Sequence, residues 1–197
     1  MSNLVQDSLL APLFAEGAIL PANTAANIFG HAAVGQRIRV TLGAQSGATH
    51  ADAGGFWCLA IQTGAMGMAA TLTVEADAQT VVSHVRFGTV FLAAGQSNIE
   101  FSLAAEAHAA ALAQDFPDTD ISCYQVAAID TEAAPSYSLP EQALPTWQRL
   151  NVHNFGPHSA IAFYAALALA QHEDTGPIGI VECYRGGTSA SCWLPEV

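Results

Sequence analysis

The pattern of hydrophobic residues changes part-way along the chain, and this change restricts the sheets that it can form. In the first part, apolar and polar residues alternate over residues 37–42 and 70–76, which is typical of strands with one buried face. Later, residues 89–94 are apolar without alternation, as in a parallel strand that is buried on both faces. We therefore predict two domains: a β-sandwich-like domain over residues 1–85 and an α/β domain over residues 86–197.

The second part alternates strand patterns with helix patterns, which is the signature of an α/β protein. The fold class predicted for the chain is therefore α/β, with a parallel sheet in a partial three-layer α/β/α arrangement, preceded by a small all-β sandwich. Two further strands belong to the sandwich, and helices separate the strands that follow it. These elements are strands over residues 56–61, 80–85, 121–126 and 178–183, and helices over residues 102–114 and 159–172.

Charge and hydropathy exclude several partners. The chain has 17 acidic and 5 basic residues, so its net charge of -12 repels nucleic acid and anionic membrane surfaces. Its apolar stretches are too short to span a bilayer. The first twenty residues contain no Lys or Arg, unlike the charged start of a secretory signal. We expect no nucleic acid or membrane partner and a cytoplasmic location.

The cysteines and histidines show no metal-ligand spacing. There is no His-x-x-x-His pair, and the four cysteines lie far apart. Three of them stand in apolar runs, which favours small buried thiols over a disulfide framework. We therefore expect no metal and no other cofactor. The cysteines are Cys58, Cys123, Cys183 and Cys192.

Ser97 lies where an apolar strand is expected to turn into a helix. That junction raises a side chain at the carboxyl edge of the sheet and directs the first helical N–H groups and the positive end of the helix dipole toward it. Backbone donors placed in this way can stabilise an oxyanion. A helix cap is the alternative, since Ser is a favoured N-cap residue. Gly186 and Gly187 also follow an apolar strand, where they either let a backbone N–H approach an oxyanion or form an ordinary turn.

A family resemblance connects these positions. Residues 87–101, which contain Gly95, Gln96, Ser97 and Asn98, resemble the nucleophile block of the sialate O-acetylesterase family, within the SGNH (GDSL-like) hydrolase superfamily. Other segments resemble later blocks or the N-terminal sandwich of that family, in the same order over nearly the whole chain. These segments are residues 28–40, 53–57, 158–164, 177–182 and 186–193.

The resemblance implies a serine esterase that removes O-acetyl groups from a carbohydrate, such as an acetylated sialic acid or another sugar. Ser97 would be the nucleophile, and the backbone N–H groups of Ser97 and of Gly186 or Gly187 would form the oxyanion hole. Three neighbouring residues would shape the turn around the serine. They are Gly95, Gln96 and Asn98.

The resemblance covers only the front part of the family, which continues to an Asp-x-x-His segment that supplies the acid and the base. No Asp-x-x-His occurs in this sequence. His158 and His153 are candidate bases, with solvated loop histidines as the alternative. We therefore expect an incomplete esterase site and a second chain, or a homodimer, that completes the α/β domain. The alternative is a non-catalytic carbohydrate-binding or interaction protein with a decayed site.

Overall fold

A large mixed β-sheet dominates the structure, a computed structural model that describes residues 8–126, 146–172 and 174–193. The strands predicted over residues 37–42, 56–61, 70–76, 121–126 and 178–183 are confirmed, to within one residue at each end. The strands are β1 (Ile19–Pro21), β2 (Ala25–His31), β3 (Arg37–Leu42), β4 (Gln45–His50), β5 (Phe56–Gln62), β6 (Ala69–Ala76), β7 (Gln79–Gly95), β8 (Ile121–Gln125), β9 (Trp147–Arg149) and β10 (Ile178–Tyr184).

Helices make up a small part of the fold. The helix predicted from residue 159 is confirmed as an α-helix that ends two residues early. The Ser159 side chain caps it by accepting from the Ala162 amide at 3.2 Å. Single 3₁₀ turns occur at Pro12–Phe14, Leu103–Ala105 and Ala190–Trp193. The α-helices are α1 (Ser97–Glu100), α2 (Ala109–Gln114) and α3 (Ala160–Ala170).

The sheet has eight strands in the order β4-β3-β6-β7-β10-β8-β9, with β1 paired to β7. Strand β10 runs parallel to both β7 and β8, whereas β3, β4, β6 and the first half of β7 are antiparallel neighbours. Strands β2 and β5 form a separate antiparallel pair. The parallel centre therefore lies between two antiparallel flanks.

Strand β7 connects the antiparallel and parallel parts of the sheet. It pairs with β6 up to Arg86 and with β10 from Thr89 onward. Between these positions stands Gly88, whose Cβ, if it had one, would lie 1.9 Å from the Pro177 carbonyl oxygen. The Thr89 amide donates to that same oxygen at 3.0 Å. A side chain at residue 88 would therefore push away the strand that β7 joins here.

Two hydrophobic cores lie along β7. The first lies between the antiparallel part of the large sheet and the β2–β5 pair, and includes Trp57, Ile28 and Val40. The second lies where α3 packs on the parallel strands, and includes Phe163 and Ile180. Although the cores are separate, β7 passes through the predicted domain boundary without a break. The division into residues 1–85 and 86–197 stays a prediction, and residues 1–7 and 194–197 lie outside the described part.

The predicted fold class was wrong. Instead of a parallel sheet covered by helices in three α/β/α layers, the described residues are mostly β, with one large mixed sheet and α-helices of 4, 6 and 11 residues. The strands predicted over residues 80–85 and 89–94 are a single strand, β7. Nor is its second half buried on both faces, because the Leu92 side chain is 63% exposed.

The long helix predicted over residues 102–114 was also wrong. Its Ala-rich composition favours a helix, but the amides of Leu103 and Ala104 donate to the carbonyls of His158 and Gly156, at 2.8 and 2.9 Å. These tertiary hydrogen bonds replace the local ones that a helix would need. Only the last part of the segment, α2, is helical. In the described residues, no helix is long and apolar enough to cross a membrane.

Candidate active site

Ser97 lies in the turn between β7 and α1. Gly95 ends the strand with a φ of 149°, and the Gln96 carbonyl accepts hydrogen bonds from the Ile99 and Glu100 amides, both at 3.0 Å. Ser97 is thus the first residue of α1, and its side chain is exposed to solvent. Because α1 is a single turn, the donors here are individual N–H groups, with little of the helix dipole that the sequence predicted.

The structure brings the Ser97 turn and the Gly186 turn together. Strands β7 and β10 run parallel, with Gly95 opposite Tyr184, so both chains leave the sheet at the same edge. The Arg185 amide donates to the Gly95 carbonyl at 3.1 Å. A Cβ on Gly186 would lie 3.8 Å from the Ser97 Cα. The two predicted segments are therefore neighbours at the carboxyl edge of the sheet.

The Glu100 carboxylate already binds one of the predicted oxyanion donors. The Gly186 amide donates to Glu100 Oε2 at 2.5 Å, and a Cβ on Gly186 would collide with that oxygen. An oxyanion and a carboxylate carry the same charge and cannot share one donor. Of the two glycines that the sequence left open, Gly187 is therefore the better candidate in this conformation, and Gly186 could serve only if Glu100 moved away.

Neither candidate base, His153 or His158, forms a hydrogen bond with the Ser97 side chain in the described part of the chain. His153 is an exposed loop residue whose amide donates to Asn151 Oδ1 at 2.8 Å. His158 is instead only 5% exposed, so it is not a solvated loop histidine, and its Nδ1 lies 2.8 Å from Glu182 Oε2. Among residues 8–126, 146–172 and 174–193, no hydrogen bond joins the Ser97 hydroxyl to a histidine.

A buried polar cluster contains Glu182, which lies four residues before Gly186, together with His158, Ser159 and Cys123. Both oxygens of Glu182 are bound, Oε2 by His158 Nδ1 and Oε1 by the Ser159 amide, each at 2.8 Å. Burial, with the nearby Glu182 charge, raises the pKa of the Cys123 thiol. The same two causes raise the pKa of the Tyr184 phenol. Both groups are thus held in their protonated, neutral forms at neutral pH.

The donor atoms of Cys123, His158 and Glu182 all lie within 4.8 Å of one another. Thiol, imidazole and carboxylate are the ligand types that zinc prefers. However, the two hydrogen bonds to Glu182 satisfy that carboxylate without an ion. The expectation that the protein has no metal stays a prediction.

Sequence reasoning missed two acidic residues of this region. Glu100 stands three residues after Ser97, but nothing in its local pattern indicates that it binds the Gly186 amide. Glu182 carried a usable signal, because it is the one charged residue in the apolar strand over residues 178–183. A carboxylate in a buried strand needs hydrogen-bond donors, so its presence predicts a polar cluster.

Comparison with known proteins is consistent with an esterase-like fold. No protein-family model matches the sequence, and no curated protein matches it. The structure is similar to a carbohydrate acetylesterase from Xanthomonas citri, with a TM-score of 0.76 and 26% sequence identity over 94% of this chain. This chain spans 42% of the length of that protein. A match to the bacterial integrin-binding protein invasin has a TM-score of 0.28 over 38% of this chain, too low for any structural conclusion.

Proposed function

We propose that this chain carries the nucleophile of a carbohydrate O-acetylesterase, with Ser97 as that nucleophile. One observation carries the proposal: the Ser97 turn lies beside the Gly186–Gly187 turn, at the carboxyl edge of two neighbouring parallel strands. A nucleophile and backbone donors are the two parts that acyl transfer needs at one place. The similarity to a carbohydrate acetylesterase supports the same chemistry.

In the proposed reaction, the Ser97 oxygen attacks the acetyl carbonyl carbon and the bond to the sugar oxygen breaks. The sugar alcohol leaves with a proton, and water then hydrolyses the acetyl-serine to acetate. The amides of Ser97 and Gly187 would stabilise the oxyanion in both steps. A serine hydroxyl is a weak nucleophile until a base takes its proton. Since no histidine in the residues that the structure describes forms a hydrogen bond with the Ser97 hydroxyl, we expect slow turnover by this chain alone.

The substrate would be an acetylated carbohydrate, with an acetylated sialic acid as the narrower suggestion from the family resemblance. A second chain, or a second copy of this one, would supply the base. The exposed sheet face around Leu92, opposite Val181 of β10, is where such a chain could pack, since parallel strands are normally covered on both faces. A cytoplasmic location remains part of this proposal.

Hydrolysis of p-nitrophenyl acetate tests the nucleophile. The chain is compared with Ser97→Ala and with Ser46→Ala, which removes an exposed hydroxyl on β4, far along the sheet order from the site. Catalysis without the base leaves roughly 10³-fold over water in serine hydrolases, from the oxyanion hole and binding. That residual rate does not need the serine, so we expect only the part of the rate above it to be lost in Ser97→Ala and to be unchanged in Ser46→Ala. Equal rates for all three proteins would contradict the proposal.

A non-catalytic carbohydrate-binding protein is the second candidate. The observation that favours it is the Glu100 carboxylate on the Gly186 amide, because a negative charge at that place opposes a developing oxyanion. Calorimetry with an acetylated oligosaccharide and with its deacetylated form separates the two functions. Binding of both forms without any release of acetate, even with Ser97 intact, would favour the binding protein.

A further inference from the structure

Glu182 is a buried carboxylate for which the proposed reaction has no use. Its side chain is 1% exposed, and it lies on β10, four residues before Gly186. A buried charge costs free energy, and replacing a buried pair by well-packed apolar residues is often neutral or stabilising. Stability alone therefore does not explain why a carboxylate stands here.

The two hydrogen bonds of Glu182 fix the segment that precedes α3. His158 Nδ1 and the Ser159 amide approach different oxygens of the carboxylate, each at 2.8 Å. Ser159 is fully buried, and its hydroxyl caps α3. Residues 158–159 are thus bound to the sheet through the Glu182 carboxylate and to α3 through the Ser159 cap.

This fixed segment is in turn the backbone partner of the chain that leaves α1. The Ala160 amide donates to the Phe101 carbonyl at 2.9 Å, and the Leu103 amide donates to the His158 carbonyl at 2.8 Å. A further hydrogen bond, from the Ala104 amide to the Gly156 carbonyl, continues the contact at 2.9 Å. Residues 101–104 therefore take their position from residues 156–160.

We propose that Glu182 is a positioning residue for Ser97, acting through residues 156–160 and 101–104. The Ser97 turn is then held at both ends, by β7 before it and by this contact after it. A side chain must lie within a few tenths of an ångström of its working position, and a shift of 1 Å can cost roughly 10²-fold in rate. The proposal deepens the proposed function and, for its effect on catalysis, rests on it.

The test compares Glu182→Gln with the parent chain and with Glu75→Gln, a matched change at an exposed position on β6. Glutamine keeps the shape and can still accept from the Ser159 amide, but it presents an NH₂ group or a neutral oxygen to His158. Hydrogen exchange of the Leu103 and Ala104 amides is the first measurement. We expect about 10-fold faster exchange there in Glu182→Gln, with exchange in β6 unchanged.

The second measurement separates kcat from KM for Ser97-dependent ester hydrolysis. We expect Glu182→Gln to lower kcat by about 10-fold with little change in KM, since positioning acts on the transition state. Glu75→Gln should behave like the parent chain. Unchanged exchange at Leu103 and Ala104 would overturn the proposal. So would faster exchange with an unchanged kcat in a protein whose hydrolysis depends on Ser97.

Two further results keep the test decisive. If Ser97→Ala leaves hydrolysis unchanged, the proposed function fails, whereas the exchange measurement still decides whether Glu182 fixes residues 101–104. If Glu182→Gln does not fold, Glu182→Asp keeps the charge but withdraws the oxygens, and faster exchange at the same two amides is expected. Stoichiometric zinc in the purified parent chain would overturn the assignment, because Glu182 would then serve a metal with Cys123 and His158.

Discussion

The two cores along β7 differ in what they bury. The first, around Trp57, is almost wholly apolar, and the Trp57 indole N–H satisfies itself on the Leu9 carbonyl at 2.9 Å. The second, around Phe163, lies next to a buried carboxylate, because Glu182 follows Ile180 of this core by two residues on β10 and is 1% exposed. The first core is therefore stabilised mainly by the burial of apolar side chains. Next to the second core, a carboxylate takes the place of an apolar side chain, on the strand that leads to the candidate site.

The same strand passes through both cores, which makes the contrast informative. In its first half, β7 pairs antiparallel with β6 and has buried residues such as Val85, while in its second half Leu92 faces solvent. Because one strand, β7, contributes to both cores and changes partners near Gly88, we expect the loss of structure in one core to destabilise the other. We therefore predict that the protein unfolds as one cooperative unit, although one core is mostly apolar and the other lies beside buried polar groups.

The largest effect is expected from Gly88→Ala. The new Cβ would lie 1.9 Å from the Pro177 carbonyl oxygen, which is backbone and cannot rotate away. Overpacking costs about 1–3 kcal/mol or more, and here it acts where both halves of the sheet meet. We expect most of the protein to be unfolded or aggregated, as judged by circular dichroism and gel filtration. Gly35→Ala is the control for lost chain flexibility: a Cβ there meets nothing, although its φ of 73° adds local strain. A folded Gly88→Ala variant with unchanged stability would contradict the tight junction.

The next largest effect is expected when one large side chain of each core is truncated, in Trp57→Ala and in Phe163→Ala. Both side chains are at most 1% exposed, and such truncations cost about 3–5 kcal/mol. Because β7 is shared, we expect each variant to unfold in one transition, at a lower denaturant concentration than the parent. Phe56→Ala, on the outer face of β5, should cost about 1 kcal/mol. Two separate transitions in either core variant would show that the cores unfold independently.

The sequence predicted an element of this fold correctly where residues within that element determine its structure, and failed where distant residues determine it. Strands β3 and β6 were predictable because alternation within a few residues defines which face is buried. The continuity of β7 was not, since it depends on partners that are distant in sequence. The helix over residues 102–114 failed for the same reason: the amides of Leu103 and Ala104 bind a segment some fifty residues later.

The candidate site shows the same limit. That Ser97 and Gly186 would be neighbours followed from two apolar strands whose carboxyl ends meet at one edge of a parallel sheet. The partners of Glu100 and His158 could not be predicted, because a hydrogen bond across 86 or 24 residues leaves no local pattern. The roles of Ser97, Gly187 and the other predicted site residues stay predictions until activity is measured.

A smaller effect is expected at alkaline pH, from the polar interior near the parallel strands. Burial raises the pKa of Tyr124 to about 12, from about 10 in an unfolded chain. A raised pKa in the folded state means that the stabilisation is complete below pH 10 and is lost as the pH rises through 12. Denaturant unfolding at about pH 9 and about pH 11 should show this loss, and Tyr124→Phe should show less of it. Equal losses in the two proteins would show that Tyr124 is not the cause.

The smallest effect is expected from the ion pair that links the two regions on the outside. Arg86, at the end of the antiparallel part of β7, lies 2.6 Å from Asp120, the residue before β8, measured from NH1 to Oδ2. The side chains are 35% and 40% exposed, so solvent screens the attraction and a double-mutant cycle of Arg86→Gln and Asp120→Asn should give about 1 kcal/mol or less. Raising the salt concentration should weaken it further. A coupling above about 2 kcal/mol that salt does not change would mean that the pair behaves as a buried one. In that case an ion pair, as well as the shared strand β7, would connect the two cores. The boundary between the cores would then be stabilised partly by a charged pair and not by apolar packing alone.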